Sequence, residues 1–170
     1  MKTSDQIATV SAIDIFDQLG SEDLTSVDTS YPILAGGQYE FKIKEMTKEQ
    51  SDSGFEYLLV KASLVSTNAL DVSGEPIKPG YVLRHMIGLT PIEKQVQEKG
   101  LEAVVKDIKR NIVIFLDAVT EDRQWDPSLE LYIGKNFFAK TKVTKERVDK
   151  NTGNTYPPQA EIQTLIPMVA

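Results

Sequence analysis

The chain has 170 residues, 41% hydrophobic and 26% charged, which suits one domain with a proper core and an added arm. Its net charge of −6 excludes a nucleic-acid binder that works through a uniformly basic surface, so any such binding has to come from a local patch. With no cysteine there is no disulfide framework, thiolate metal site or thiol nucleophile, and no apolar run approaches the roughly 20 residues of a membrane span.

Residues 1–30 carry Asp5, Asp14, Asp17, Glu22, Asp23 and Asp28 against Lys2 alone. Ser4 is placed to cap a helix ending near Gly20, with Ile7, Val10, Ile13, Phe16 and Leu19 on a narrow apolar stripe. Such a helix either docks on its own domain or forms an arm for a partner or a second copy. Asp5 and Asp14 interrupt any apolar signal core, and the polar, turn-rich stretch 20–31 reads as a linker. The expected division is an acidic helical arm and linker over 1–30 and a β-rich domain over 31–170.

Pro32 to Gly37 leads into the first strand. Tyr39, Phe41 and Ile43 alternate with Glu40, Lys42 and Lys44, which predicts an inward apolar set and outward lysines. Residues 47–54 form the polar loop of a hairpin ending at Gly54. The second strand spans Phe55 to Ser66, with Leu58, Val60, Ala62 and Leu64 inward. Phe55, Tyr57, Lys61 and Ser63 share the other face, where the rings either stand exposed beside the lysine or are covered by a loop or the arm. A long connection over 67–80, broken by Gly74, Pro76, Pro79 and Gly80, leads to a third strand from Tyr81 to Leu89. Its parity is ambiguous: Val82, Arg84 and Met86 lie on one side, Tyr81, Leu83, His85 and Ile87 on the other. His85 is the single histidine, so a metal site or nucleophile–His pair lacks its parts and a structural role is expected.

Thr90 as N-cap, Pro91 at the first helical position and Glu93 completing a capping box predict a helix that Gly100 ends. A second helix follows from Leu101 to about Val119. Leu101, Val104, Val105, Ile108, Ile112, Phe115, Leu116 and Val119 recur at helical spacing and read as a core stripe. Residues 120–130 form an acidic loop around Trp125, which either closes the core or stacks a base; the core is favoured.

The stretch GKNFFAKTKVTKERV, from Gly134 to Val148, is read as the fourth strand and the candidate site. Phe137, Ala139, Thr141 and Val143 point one way, and Phe138, Lys140, Lys142 and Thr144 the other. Between Lys135 and Lys150 the basic residues Lys135, Lys140, Lys142, Lys145, Arg147 and Lys150 stand against Glu146 and Asp149. Lysines beside an aromatic ring suit a partner that is anionic and carries flat rings. The same lysines would also guard a strand edge against aggregation. The turn at 149–154 offers Gly153 for positive φ, and a last strand runs from Tyr156 to Pro167, with Pro157 and Pro158 restricting it to an edge or a strand start.

The order strand, strand, strand, helix, strand, strand predicts a mainly β fold with helices (α+β), the five-stranded Greek-key barrel of OB-folds with a helix between strands 3 and 4. There the first and fourth strands lie side by side. Lys42 and Lys44 would then neighbour Phe138, Lys140 and Lys142, with Phe55, Tyr57 and Lys61 alongside. Cations for phosphates and rings for bases are what single-stranded nucleic acid requires.

The runs VDTSYPILAGGQYEFKI, PGYVLRHMIGLTP, FLDAV, LYIGKNFFAKTKV and TGNTYPPQAEIQTLIP together resemble, over roughly residues 27–167, a family of small bacteriophage OB-fold proteins that bind single-stranded DNA in replication and recombination. The shared features are a G-x-Y first strand, a leucine- and alanine-bearing helix, a GK entry to a lysine-rich strand and a closing strand with an N/A-E-I core. The resemblance implies groove roles for Lys135, Lys140 and Lys142. Many single-strand binders end in an acidic tail that recruits partners. This chain ends in LIPMVA and is acidic at its start, so either the arm takes that role or recruitment is absent.

The expected activity is sequence-tolerant binding of single-stranded DNA in the host cytoplasm, with no enzymatic step, cofactor, metal or membrane. The site residues are Lys42, Lys44, Phe55, Tyr57, Lys61, Lys135, Phe138, Lys140, Lys142, Lys145 and Arg147. The N-terminal arm is assigned to a second copy or to a replication or recombination protein. The competing expectation is a phage structural or adaptor protein acting by protein–protein contacts, since such a barrel serves many roles. No P-loop, G-x-S-x-G or His-containing metal motif supports an enzyme. Glu121, Asp122, Asp126 and Glu130 would suit Mg²⁺ in a nuclease but read as a solvated acidic surface.

Overall fold

The structure, a computed structural model, describes residues 31–168 together with Asp17, Gly20, Ser21 and Thr25. The helix expected between Ser4 and Gly20 lies outside the described residues. From Pro32 onward the chain forms one compact unit. Its frame is a five-stranded antiparallel sheet in the order β3–β2–β1–β4–β7. The strands are β1 (Gly37–Gln50), β2 (Glu56–Leu64), β3 (Val82–Gly88), β4 (Asn136–Val143) and β7 (Ala160–Ile166). Between β4 and β7 sits a separate two-stranded hairpin of β5 (Arg147–Val148) and β6 (Thr155–Tyr156). The two end strands, β3 and β7, bring Cα atoms within 8 Å of each other, so the sheet curls into a half-barrel.

Alternation builds this frame. Along β2, Leu58, Val60, Ala62 and Leu64 are buried and each residue between them is half-buried. Along β4, Phe137, Ala139 and Thr141 are buried while Asn136, Phe138, Lys140 and Lys142 are exposed. Both faces agree with the sequence reading. The inward rings of Phe41 and Phe137 stack with centroids 5.7 Å apart, joining β1 to β4. Each such side chain, fully removed from water, stabilises the fold by about 1.5–3 kcal/mol. The one buried polar side chain among the described residues, Thr141, accepts from the Gly37 N–H at 3.3 Å and donates toward the Ala35 and Gly37 carbonyls.

Two register shifts adjust the pattern. On β1 the shift lies between Ile43 and Glu45, so Ile43 and Met46, three positions apart, both face the core. On β7 the shift opposite Lys140 and Thr141 leaves Gln163 and Thr164 exposed in succession between buried Ile162 and Leu165. A bulge of this kind inserts one residue and resets the period of two.

Two helices connect β3 to β4: α1 (Glu93–Lys99) and α2 (Leu101–Val119). Gly100 turns the chain between them at φ 87°, a conformation that favours glycine. The C-terminal half of α2 enters the core through Phe115, Leu116, Ala118 and Val119. Its N-terminal half does not. Leu101 is 57% exposed, and Val104 is buried but outside the main core. The core stripe read for the whole helix therefore holds for its second half. A 3-10 turn, Leu129–Tyr132, brings the Tyr132 ring edge-on to Phe115 at 5.6 Å.

Several expectations are corrected. Thr90, Pro91 and Glu93 do not form a capping box: α1 starts at Glu93 behind Ile92, with no side-chain cap. The Thr90 hydroxyl instead accepts from the Glu56 N–H at 2.9 Å, tying the end of β3 to the start of β2. The first hairpin is longer than expected, because β1 continues to Gln50 and residues 51–54 suffice for the turn. The fourth strand ends at Val143 rather than Val148, and the last one is divided by Pro157 and Pro158 into β6 and β7. Among the described residues no helix is long and apolar enough to cross a membrane.

Candidate nucleic-acid interface

Register places the outward side chains. Across β1 and β4, Gln38 faces Lys140, Glu40 faces Phe138, and Lys42 faces Asn136. Directly opposed residues in an antiparallel pair project to the same side, so Lys42, Phe138, Lys140 and Lys142 share the outer face. Phe138 stands 48% exposed between Asn136 and Lys140, and the Asn136 amide donates to the Glu40 carboxylate at 3.0 Å. Lys44, exposed two residues after Lys42, extends the row past the start of β4.

On the other flank of β1, β2 presents Tyr57, Leu59, Lys61 and Ser63, and β3 presents Val82, Arg84 and Met86. Lys61 faces Arg84, and Leu59 faces Met86, which is 58% exposed. The Phe55 and Tyr57 rings stack at 6.3 Å and 25°. Phe55 lies over Gly88, where a Cβ would come 3.0 Å from the ring. Both rings are half-buried, so they are neither free in solvent nor sealed in the core.

The expected set is thus brought together in part. Lys42, Lys44, Phe138, Lys140 and Lys142 occupy the β1–β4 outer face, and Tyr57 and Lys61 on β2, with Phe55 just before that strand, continue it. Lys135 does not join them. It precedes the strand on the inward parity and lines a recess with Val119, Thr120, Glu121, Asp122 and Met168 at the end of α2. Lys145 and Arg147 leave the sheet with the β5–β6 hairpin, because β4 stops before them. Arg147 sits over the Tyr156 ring at 5.1 Å, a cation–π contact.

The cations of the face are of two kinds. Lys61 pairs with Glu45 at 2.9 Å, and Lys142 with Glu161 at 3.1 Å. Among the described residues Lys42, Lys44, Arg84 and Lys140 form no ion pair, and the carboxylate that shares their face, Glu40, accepts from the Asn136 amide instead. Arg84 and Met86 lie on this same face although the sequence leaves the parity of β3 open. The signal for that face was their grouping opposite Leu83 and Ile87, both of which prove buried.

The remaining candidates lie elsewhere. His85 points inward on β3, and burial holds its imidazole below the usual value. Trp125 stacks on Tyr132 at 5.4 Å and is 39% exposed, so it packs on the core without closing it. With Lys48, Leu58, Leu89, Ile112, Pro127 and Leu129 it lines an apolar cavity of about 370 Å³. Glu121, Asp122 and Glu130 are exposed, and Asp126 takes part in turn hydrogen bonds with Ser128 and Tyr132. Among the described residues no group of three or more acidic or histidine side chains is arranged to hold a metal. No protein-family model matches the chain, and no curated protein matches it in sequence.

Proposed function

We propose that this chain binds single-stranded DNA without sequence preference and without catalysis, as a phage replication or recombination protein acting in the host cytoplasm. The observation that carries this reading is the β1–β4 pairing, which sets Lys42 and Lys140 on either side of the exposed Phe138 ring. Unpaired cations favour phosphate through counterion release, and a ring between them offers a stacking surface worth roughly 1–3 kcal/mol per base. The strand order β3–β2–β1–β4–β7, with helices between β3 and β4, supports the Greek-key barrel of an OB-like fold. In that frame Phe55, Tyr57, Arg84 and Met86 lengthen the track across β2 and β3, and the β5–β6 hairpin stands at one end with Lys145, Arg147 and Tyr156. The resemblance to phage single-strand-binding proteins is in keeping with this track for Lys140 and Lys142. The place of Lys135 beside Glu121 and Asp122 argues against a groove role for it. Fluorescence titration with poly-dT at low salt tests the proposal: saturable binding at micromolar protein or below is expected, and its absence there overturns the proposal.

A second reading, an adaptor working through protein contacts, is favoured by one observation. The α1–α2 hairpin exposes Ile92 (47%) and Leu101 (57%), and α1 buries none of its residues. Substitution of both by Ser would abolish an adaptor contact and leave poly-dT binding unchanged.

A further inference from the structure

The two register shifts in the sheet have the same electrostatic result. On β1, Ile43 faces Ala62, and unbroken pairing would next set Lys44 against Lys61. The shift passes over Lys44 and sets Glu45 there, 2.9 Å from the Lys61 ammonium. On β7, Lys140 faces Thr164, and unbroken pairing would bring Ile162 opposite Lys142. The shift passes over Gln163 and sets Glu161 there, 3.1 Å from the Lys142 ammonium. Bulges commonly re-aim side chains beside functional surfaces. Here both convert an outward lysine into half of an ion pair, one on each flank of the unpaired row Lys42, Lys44 and Lys140. Keeping Ile43, Met46, Ile162 and Leu165 in the core requires the shifts but does not require that acids arrive opposite the lysines.

We propose that Glu45 and Glu161 are built-in anionic competitors that hold Lys61 and Lys142 back from a bound polyanion and so set how weakly and reversibly the face grips it. This rests on the single-stranded DNA reading above. A lysine already neutralised by its neighbour releases no DNA counterion, because it neutralises no phosphate. The wild-type salt dependence then counts the unpaired cations alone. Freeing a paired lysine adds one phosphate contact, which steepens the slope of log K against log salt by about 0.7 on a single strand.

The test is a poly-dT titration at several salt concentrations with wild type, Glu45→Gln, Glu161→Gln, the double variant and Glu102→Gln, which removes the same charge from α2. Each of the first two variants is expected to bind about fivefold more tightly near 50 mM salt with a slope steeper by about 0.7, and the double variant by about 1.4. Glu102→Gln is expected to leave the slope unchanged. In a Lys61→Ala background, Glu45→Gln should no longer steepen it, which separates pair release from a general gain in charge. Exposed pairs add little to stability, so melting temperatures should stay within about 3 °C. If wild type binds and neither variant steepens the slope, this inference falls and the binding reading stands. If neither wild type nor variants bind, the binding reading falls and takes this one with it.

Discussion

Lys140 and Lys142 are two residues apart on one strand face, yet their surroundings differ. Lys142 has Glu161 at 3.1 Å, while Lys140 faces Gln38 and meets no carboxylate among the described residues. Their contributions to binding should differ accordingly. Lys140→Ala is expected to weaken poly-dT binding by about five- to tenfold near 50 mM salt and to flatten the salt slope by about 0.7, as loss of one phosphate contact does. Lys142→Ala should change either quantity by less than half as much, and equal losses would contradict the distinction. A second residue-scale prediction concerns His85, whose imidazole burial holds below its ordinary 6.5. As pH falls through 6.5 the unfolded chain takes up this proton before the folded one does. Stability from this group is therefore full above pH 6.5 and declines on acidification until the folded imidazole itself titrates. Urea unfolding at pH 8 and pH 5.5 should show that decline in wild type and a smaller one in His85→Gln.

Elements decide which side chains meet, and here the β5–β6 hairpin is separable from the rest. It forms its own two-stranded sheet, exposes Val148 and Tyr156, and buries no residue in the core. Replacing residues 145–157 by a short Gly-Ser link should leave the melting temperature within about 3 °C of wild type, since exposed tips tolerate such changes. It should also weaken poly-dT binding several-fold through loss of Lys145 and Arg147. A collapse of the fold on this deletion would contradict the hairpin's independence. The hairpin illustrates what the sequence could and could not reveal. Its turn was legible, because Gly153 adopts φ 72° where the spacing placed a positive φ. Its detachment from β4 also left a mark: Lys145 and Arg147 fall on the inward parity of Phe137, Ala139, Thr141 and Val143, where a strand continuing over the core would carry apolar residues. The faces of β2 and β4 were legible because one parity of each is apolar almost throughout (Leu58, Val60, Ala62 and Leu64; Phe137, Ala139 and Val143) while the other carries the lysines. β3 was not, since His85 and Arg84 alternate with apolar residues on both sides. The bulges at Lys44 and Gln163 are marked locally only by apolar residues three positions apart, Ile43 to Met46 and Ile162 to Leu165, and this spacing does not say which residues pair across them. Non-local pairing and the need to bury Met46 and Ile162 settle them, so the partners of Lys61 and Lys142 could not be read in advance.

At the scale of the whole molecule, a net charge of −6 opposes a polyanion while one face gathers Lys42, Lys44, Arg84 and Lys140, none of them in an ion pair among the described residues. Field and patch therefore act against each other, and the account requires binding to be local, tight only at low salt and confined to the outer face of the sheet. Amide and lysine side-chain chemical shifts, followed by NMR during titration with oligo-dT, test that claim most directly. The account predicts the largest changes at Lys42, Phe138 and Lys140, lesser ones at Tyr57, Arg84 and Met86, and none at Lys135 or along α1. Changes centred on Trp125 and its cavity or on the α1–α2 hairpin, with the β1–β4 face undisturbed, would contradict it.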